Sequence, residues 1–221
     1  MSDVYAGLIF YNDGPVLFEE CLKALIVAGV KPVCIDGAYQ DFPRKDGEEF
    51  HSTDGCLDVA RKYAHVLVES PKDGWPTQVH KRNKYMETIP VDSYVMYIDA
   101  DEVLRPPPKP ISSMLSSDVH RVNVKIWDSP TSTKQWTEVR IYKNHPDLRY
   151  KYQHCRLYHL DRHVEGELDS GIVSKAHGAI LLTYPAVPLF YDHYRYRRPQ
   201  DRIDRKMHFY KVREESKFGY D

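Results

Sequence analysis

An α/β fold, with helices on both faces of a mostly parallel sheet, is what this sequence predicts. Three observations predict it. Short runs of strand-forming apolar residues alternate with stretches of helical spacing over residues 4–98. The runs are apolar on successive residues, as strands covered on both faces are. Each stops at or beside a polar residue, Asn12, Asp36, Ser70 and Asp99 in turn. In a sheet of this kind, ligands bind beyond the C-terminal ends of the strands.

The elements follow in order. Residues 4–11 (VYAGLIFY) read as a strand stopped by Asn12-Asp13-Gly14. Pro15 suits the first turn of a helix, in which Phe18, Cys21, Leu22, Leu25 and Ile26 recur at helical spacing up to Gly29. Residues 31–36 (KPVCID) form a second buried strand, 41–55 a polar loop, 57–63 a short helix and 65–69 a third strand. After the loop Pro71–Pro76, Thr77 caps a helix running to about Ile89, with Val79, Arg82, Met86 and Ile89 near one face. Residues 94–98 (YVMYI) form the fourth strand, and Asp99-Ala100-Asp101-Glu102 follows it directly. Beyond Pro106-Pro107-Pro108 the pattern changes to shorter strands at 119–127, 138–143 and 148–152, and helical character returns after about Pro199. Residues 1–105 and 106–221 therefore read as two halves of one domain.

Composition bounds the function. A chain of 221 residues with 42% hydrophobic and 12% aromatic content can bury a real core. A net charge of −1 argues against a protein built as a whole to cling to nucleic acid or an anionic membrane. The four cysteines form no CxxC pair, which predicts reduced thiols in a cytoplasmic protein. The N-terminus MSDVYAGLIF has no basic region leading into a long apolar run, and no stretch has the roughly 18 apolar residues of a membrane span.

Asp99 and Asp101 carry the sharpest chemical signal. Two carboxylates around a small residue at a strand end offer hard oxygen ligands for Mg²⁺ or Mn²⁺, which are usually shared with substrate phosphates. Such an ion offsets charge building on a departing diphosphate. His154, His159 and His163 lack cysteine partners at matching spacing, so zinc is not expected.

The segments YNDGPVLFEECLKAL, VCIDGAYQDF and KRNKYMETIPVDSYVMYIDADEVL, in that order and spacing, resemble family 2 glycosyltransferases and their GT-A fold. The resemblance covers roughly residues 4–105. It extends more weakly through RIYKNHPDLRYKYQHCRLY and DHYRYRRPQDRIDRKMHFY to short bacterial and phage members. It implies that residues 1–105 bind a nucleotide-diphosphate sugar, UDP-linked by preference, and that residues 106–221 form the acceptor side. Tyr11 and Asn12 then match the donor-base and ribose region, and Asp36 the aspartate that hydrogen-bonds the nucleobase. Asp73 lies in a loop that also approaches the nucleoside. Arg82 and Asn83 match an "RN" pair facing the diphosphate. Asp99 would touch ribose and the metal shell, Asp101 would ligate the metal directly, and Glu102 would brace the loop. A histidine far along the chain completes such a metal site, with His193 the best match, then His154 and His177.

The general base is where the sequence departs from the family. Cys155 stands where many short relatives have glutamate. Asp128, after a strand, is the first substitute, and Asp192, beside His193, the second; Glu138, Glu165, Glu167 and Asp169 remain. Between Tyr194 and Arg213 the chain turns basic, with Arg195, Arg197, Arg198, Arg202 and Arg205 interleaved with tyrosines. These suit the donor's diphosphate, an acidic acceptor or DNA phosphates. The acceptor is therefore open between a glycan, a lipid-linked sugar, a protein and modified DNA. Transfer with inversion is the expected chemistry. A viral glycosyltransferase acting on modified DNA bases, or a non-catalytic module binding a sugar nucleotide or glycan, are the alternatives.

Overall fold

The computed structural model describes residues 2–115, 121–127, 135–151, 156–159, 162–163, 174–176, 179–181, 183–184, 190–194 and 197–216. The first half runs β1 (Val4–Phe10), α1 (Pro15–Val27), β2 (Lys31–Asp36), α2 (Cys56–Tyr63), β3 (Val66–Val68), α3 (Gln78–Thr88) and β4 (Tyr94–Tyr97). The second contains β5 (Glu102–Leu104), β6 (Arg121–Trp127), β7 (Gln135–Lys143), β8 (Leu148–Lys151), β9 (Arg156–His159), β10 (Arg162–His163), β11 (Ser174–Ala176), β12 (Ala179–Leu181), β13 (Thr183–Tyr184), β14 (Phe190–His193) and α4 (Gln200–Ser216).

Strands β3-β2-β1-β4 are mutually parallel, the order that right-handed strand–helix–strand crossovers produce. Beyond β4 the sheet becomes mixed. It continues β7-β6-β14-β5, with β7 antiparallel to both neighbours, β14 parallel to β6, and β5 antiparallel to β14. The expected mostly parallel sheet is thus right for the first half, while the second half turns it into a mixed sheet. Because β4 pairs with β7, one sheet runs through both halves.

The helices cover both faces. Val4, Ala6, Leu8 and Phe10 of β1 pack with Phe18, Leu22 and Leu25 of α1 and with Cys56, Leu57 and Ala60 of α2. Tyr5, on the opposite face of β1, joins Tyr85 and Met86 of α3. This two-sided burial is why β1 is apolar on successive residues. On the α3 face the Tyr85 ring lies so close to β1 that a Cβ at Gly7 would come within 2.4 Å of it. Only glycine admits that approach.

The local signals account for the helix ends. Pro15 opens α1, and Thr77 caps α3 by accepting from the His80 N–H at 3.4 Å. β1 ends one residue before the expected strand end, and Asn12 turns the chain with φ 49°. The sequence reading missed β5 and all the strands from β9 to β14, each four residues or shorter; two of them, β5 and β14, matter most here. β5 has three residues and β14 only four, too short for a period-2 pattern to register. Both border the site.

Candidate functional site

Parallel β1, β2 and β4 end on one edge of the sheet. β6 runs parallel to β1 through two antiparallel steps, and β14 is parallel to β6, so β14 also ends there. At that edge an open cavity is bounded by the ends of β1 and β2, by α3 and by α4.

One wall is aromatic. Tyr11, Tyr39, Phe42 and Phe209 line it, with the Phe209 ring centroid 5.7 Å from Phe42 and 6.0 Å from Tyr39. Cations line the same space, Lys81 and Arg82 from α3 and Arg198, Arg202 and Lys206 from α4 and the residues before it, with Arg202 4.5 Å from the Phe42 ring. Two lining carboxylates, Asp13 and Asp99, face these five cations. Burial raises the Asp13 pKa, but Arg198 at 3.3 Å and Arg202 at 3.7 Å outweigh it and hold the group below its usual range. Asp99 follows the same balance. Burial opposes its ionisation, yet Arg82 at 3.5 Å and the surrounding cations keep it well below the usual carboxylate range.

Asp101 is buried behind Asp99, and two basic groups meet it. Nε2 of His193 lies 3.3 Å from its Oδ2, and Nη2 of Arg198 lies 2.9 Å from its Oδ1. β14 brings His193 there by pairing it with Glu102 of β5, directly after the aspartates. Burial lowers the His193 pKa, but its contact with Asp101 reverses the balance, and the pKa ends above 6.5. Two neighbouring ligands of an octahedral ion with oxygen distances near 2.1 Å sit about 3 Å apart, so this O–N pair has a spacing that Mg²⁺ or Mn²⁺ accepts. Among the described residues no group of three His, Cys, Asp or Glu side chains forms a closed metal cage. The pair suits an ion whose remaining ligands come from water and substrate. Glu102 braces the loop. It accepts from the Asp99 N–H at 2.9 Å and from both Arg140 Nη atoms at 2.9 Å.

The remaining expected residues divide. Tyr11 and Arg82 line the cavity. Asn12 instead pins the 41–55 loop, donating to Glu48 at 3.0 Å and accepting from the Thr53 and Asp54 N–H groups. Asp36 is fully buried and turned to Ser52, whose hydroxyl donates to it at 2.6 Å, and it does not line the cavity. Burial raises the Asp36 pKa above its usual value. Asp73 is exposed on a turn away from the cavity. Asn83 also leaves the site: its amide donates to the Tyr150 carbonyl at 3.0 Å and accepts the Tyr150 N–H at 2.7 Å, tying α3 to β8. Asp192 alternates with His193 along β14 and is gripped by Arg105 through three contacts of 2.6–3.0 Å, which withdraws it from base chemistry in this arrangement. Asp128, His154 and His177 lie outside the described residues.

Several site residues escaped the sequence reading. Lys81 is buried, lines the cavity and donates to the carbonyls of Phe10 at 2.6 Å and Gly37 at 2.5 Å. A lysine four residues before the core residue Tyr85, on the same helix face, was the available signal. Lys206 and Phe209 fall in register with Arg198, Arg202 and Arg205 at spacings of four, which places both rows on the inner side of α4. The basic end is thus largely turned inward. Arg198 and Arg202 are buried, Arg205 pairs with Glu48 at 2.5 Å, and Arg197 pairs with Glu20 at 2.7 Å.

Fold and cavity together define an α/β protein with an anion-attracting, aromatic-walled cavity at the C-terminal edge of a parallel half-sheet. No family model and no curated protein matches the chain. Among solved structures, the crystal structure of S. aureus TarS 1-349 overlaps it with a TM-score of 0.42 and 14% identity, over 60% of this chain and 37% of that one. A crystal structure of S. aureus TarS gives 0.42 and 15%, over 60% and 23%. The chain thus spans well under half the length of either, and overlap at this level assigns neither family nor activity. Among the described residues, no helix is long and apolar enough to cross a membrane.

Proposed function

We propose that this protein is a glycosyltransferase that takes a sugar from a nucleotide-diphosphate donor, with Mn²⁺ or Mg²⁺ as its cofactor. The observation that carries the reading is the cavity itself. Aromatic rings and cationic side chains line it together at the sheet edge, with the Arg202 guanidinium 4.5 Å from the Phe42 ring, beside the Asp101–His193 pair. A nucleoside suits the rings and a diphosphate the cations. The resemblance of the YIDADE segment to family 2 glycosyltransferases supports the same assignment.

In this reading the base and ribose lie among Tyr11, Tyr39, Phe42 and Phe209. Asp101 and His193 would hold the metal ion, and Asp99, held ionised by its cationic neighbours, would face the ribose side. An ion held there would supply positive charge to the departing diphosphate. Arg82 and the α4 cations add fixed positive charge that needs no reorganisation as the bond breaks. Asp128 is the base proposed for deprotonating the acceptor, now that Arg105 engages Asp192. Transfer would then proceed with inversion, onto an acceptor still open between glycan, lipid-linked sugar, protein and modified DNA.

Asp101→Asn tests the reading. Nucleotide sugars screened with and without Mn²⁺ should give metal-dependent hydrolysis or transfer with one donor. The variant should lose it by roughly 100-fold or more while remaining folded. Full turnover in the variant, or no metal-dependent hydrolysis or transfer with any nucleotide sugar, would remove the assignment.

A further inference from the structure

Asp101 is met in turn by His193, Tyr194 and Arg198. The Tyr194 N–H donates to its carbonyl at 2.7 Å, Nε2 of His193 lies 3.3 Å from Oδ2, and Nη2 of Arg198 lies 2.9 Å from Oδ1. Arg198 is shared, because its Nε lies 3.3 Å from Oδ1 of Asp13. These charges are buried together, with the Arg198 side chain 6% exposed and each aspartate side chain 3%. Neither contact of the guanidinium is aligned as a hydrogen bond. Asp101 Oδ1, Asp13 Oδ1 and Arg198 Nε are all buried without a hydrogen-bond partner among the described residues. What holds Arg198 against Asp101 is therefore attraction of charge, and the buried Oδ1 keeps an unmet need for a better partner. A divalent ion is a stronger claimant, offering twice the charge at about 2.1 Å. Arg198 would not be stranded by leaving, since Asp13 already faces its other edge.

We infer that Arg198 is an internal counter-ion that competes with the divalent ion for Asp101, so that the ion is held tightly only when the guanidinium moves off Asp101 toward Asp13. The inference rests on the metal role proposed above for Asp101 and His193. An ion seated between Asp101 Oδ2 and His193 faces the guanidinium across a single carboxylate, where like charges oppose each other at short range. Arg198 thereby sets the metal affinity of the site, a role separate from the positive charge it adds to the cavity.

Titration with Mn²⁺ alone, followed by calorimetry and by the electron paramagnetic resonance of the free ion, tests this without nucleotide or turnover. Arg198→Gln removes the competing charge and should tighten Mn²⁺ by roughly 10-fold or more. Arg202→Gln removes an equal charge from a side chain that meets Asp13 and the Tyr11 carbonyl instead of Asp101. It should change Mn²⁺ affinity by less than about 3-fold. A second readout needs no variant: Mg²⁺ added to the parent should shift the Arg198 Nε–H signal in the NMR spectrum of its arginine side chains. Equal effects of the two variants, unchanged affinity in Arg198→Gln, or a static Arg198 signal as Mg²⁺ saturates would each overturn the inference. Mn²⁺-dependent sugar transfer by a parent whose Mn²⁺ affinity Arg198→Gln leaves unaltered removes this inference alone. Tightened Mn²⁺ binding in Arg198→Gln, with no turnover of any nucleotide sugar by the parent, keeps it and removes the donor-site reading. No Mn²⁺ binding by any of the three proteins removes both the inference and the metal assignment.

Discussion

Lys81 sits buried where β1 and β2 end, with its ammonium group against two backbone carbonyls. Burial pulls its pKa from 10.5 down to about 7, even though Asp36 and Asp13 pull the other way. Between those two values the unfolded chain carries a proton on this lysine that the folded chain does not. Stability from this group therefore rises with pH across that window and is flat below about 7. Lys81→Met removes the effect. Urea unfolding at pH 7.5 and 9.5 should show the parent gaining roughly 2 kcal/mol on the variant over that interval. An unchanging difference would mean that the buried lysine stays charged throughout.

At the scale of elements, α4 and the 41–55 loop close the cavity together. Arg205 of α4 reaches Glu48 at 2.5 Å, Lys45 of the loop reaches Asp201 at 2.8 Å, and Phe209 packs on Phe42. The exposed Lys45–Asp201 pair contributes little. The Arg205–Glu48 contact is shielded, with side chains 16% and 13% exposed, and Glu48 also accepts from Asn12. Arg205→Ala should therefore loosen the loop without disturbing the sheet. Hydrogen exchange should speed up at residues 41–55 and on α4 while β1, β2 and β4 keep their protection. Uniform loss of protection would show that this contact supports the whole fold instead.

At the scale of the molecule, the buried Arg140–Glu102 pair ties β7 to β5 across the mixed half of the sheet. Glu102 opens β5, Arg140 belongs to β7, and the pair lies behind the aspartates with side chains only 7% and 3% exposed. Burial raises the Glu102 pKa despite Arg140 beside it. Arg140→Met leaves that carboxylate buried without its partner and should cost about 3–5 kcal/mol in urea unfolding. Adding Glu102→Leu should recover part of the loss, because an apolar pair no longer strands a charge. If the single variant cost less than about 1 kcal/mol, the pair would be solvated rather than buried.

The sequence by itself determined the first half of this protein. The strands and helices up to Tyr97 are marked by apolar runs, Pro15, Thr77 and strand-ending polar residues, and all of these signals act within a few residues of one another. It also placed Asp99 and Asp101 at a strand end. Which of its candidates share a site was decided by tertiary structure. β14 carries His193 to Asp101 only because it pairs with β5 and β6, and a four-residue strand gives no periodic signal of its own. Asn83, Asp36 and Asp192 looked like site residues, but their side chains answer to Tyr150, Ser52 and Arg105. α4 reads as a basic helix in the sequence, but its buried Arg202 faces a cavity that exists only once the chain has folded back on β1. Local chemistry fixes elements, whereas a site is made by residues far apart in the chain, and only long-range pairing brings those together.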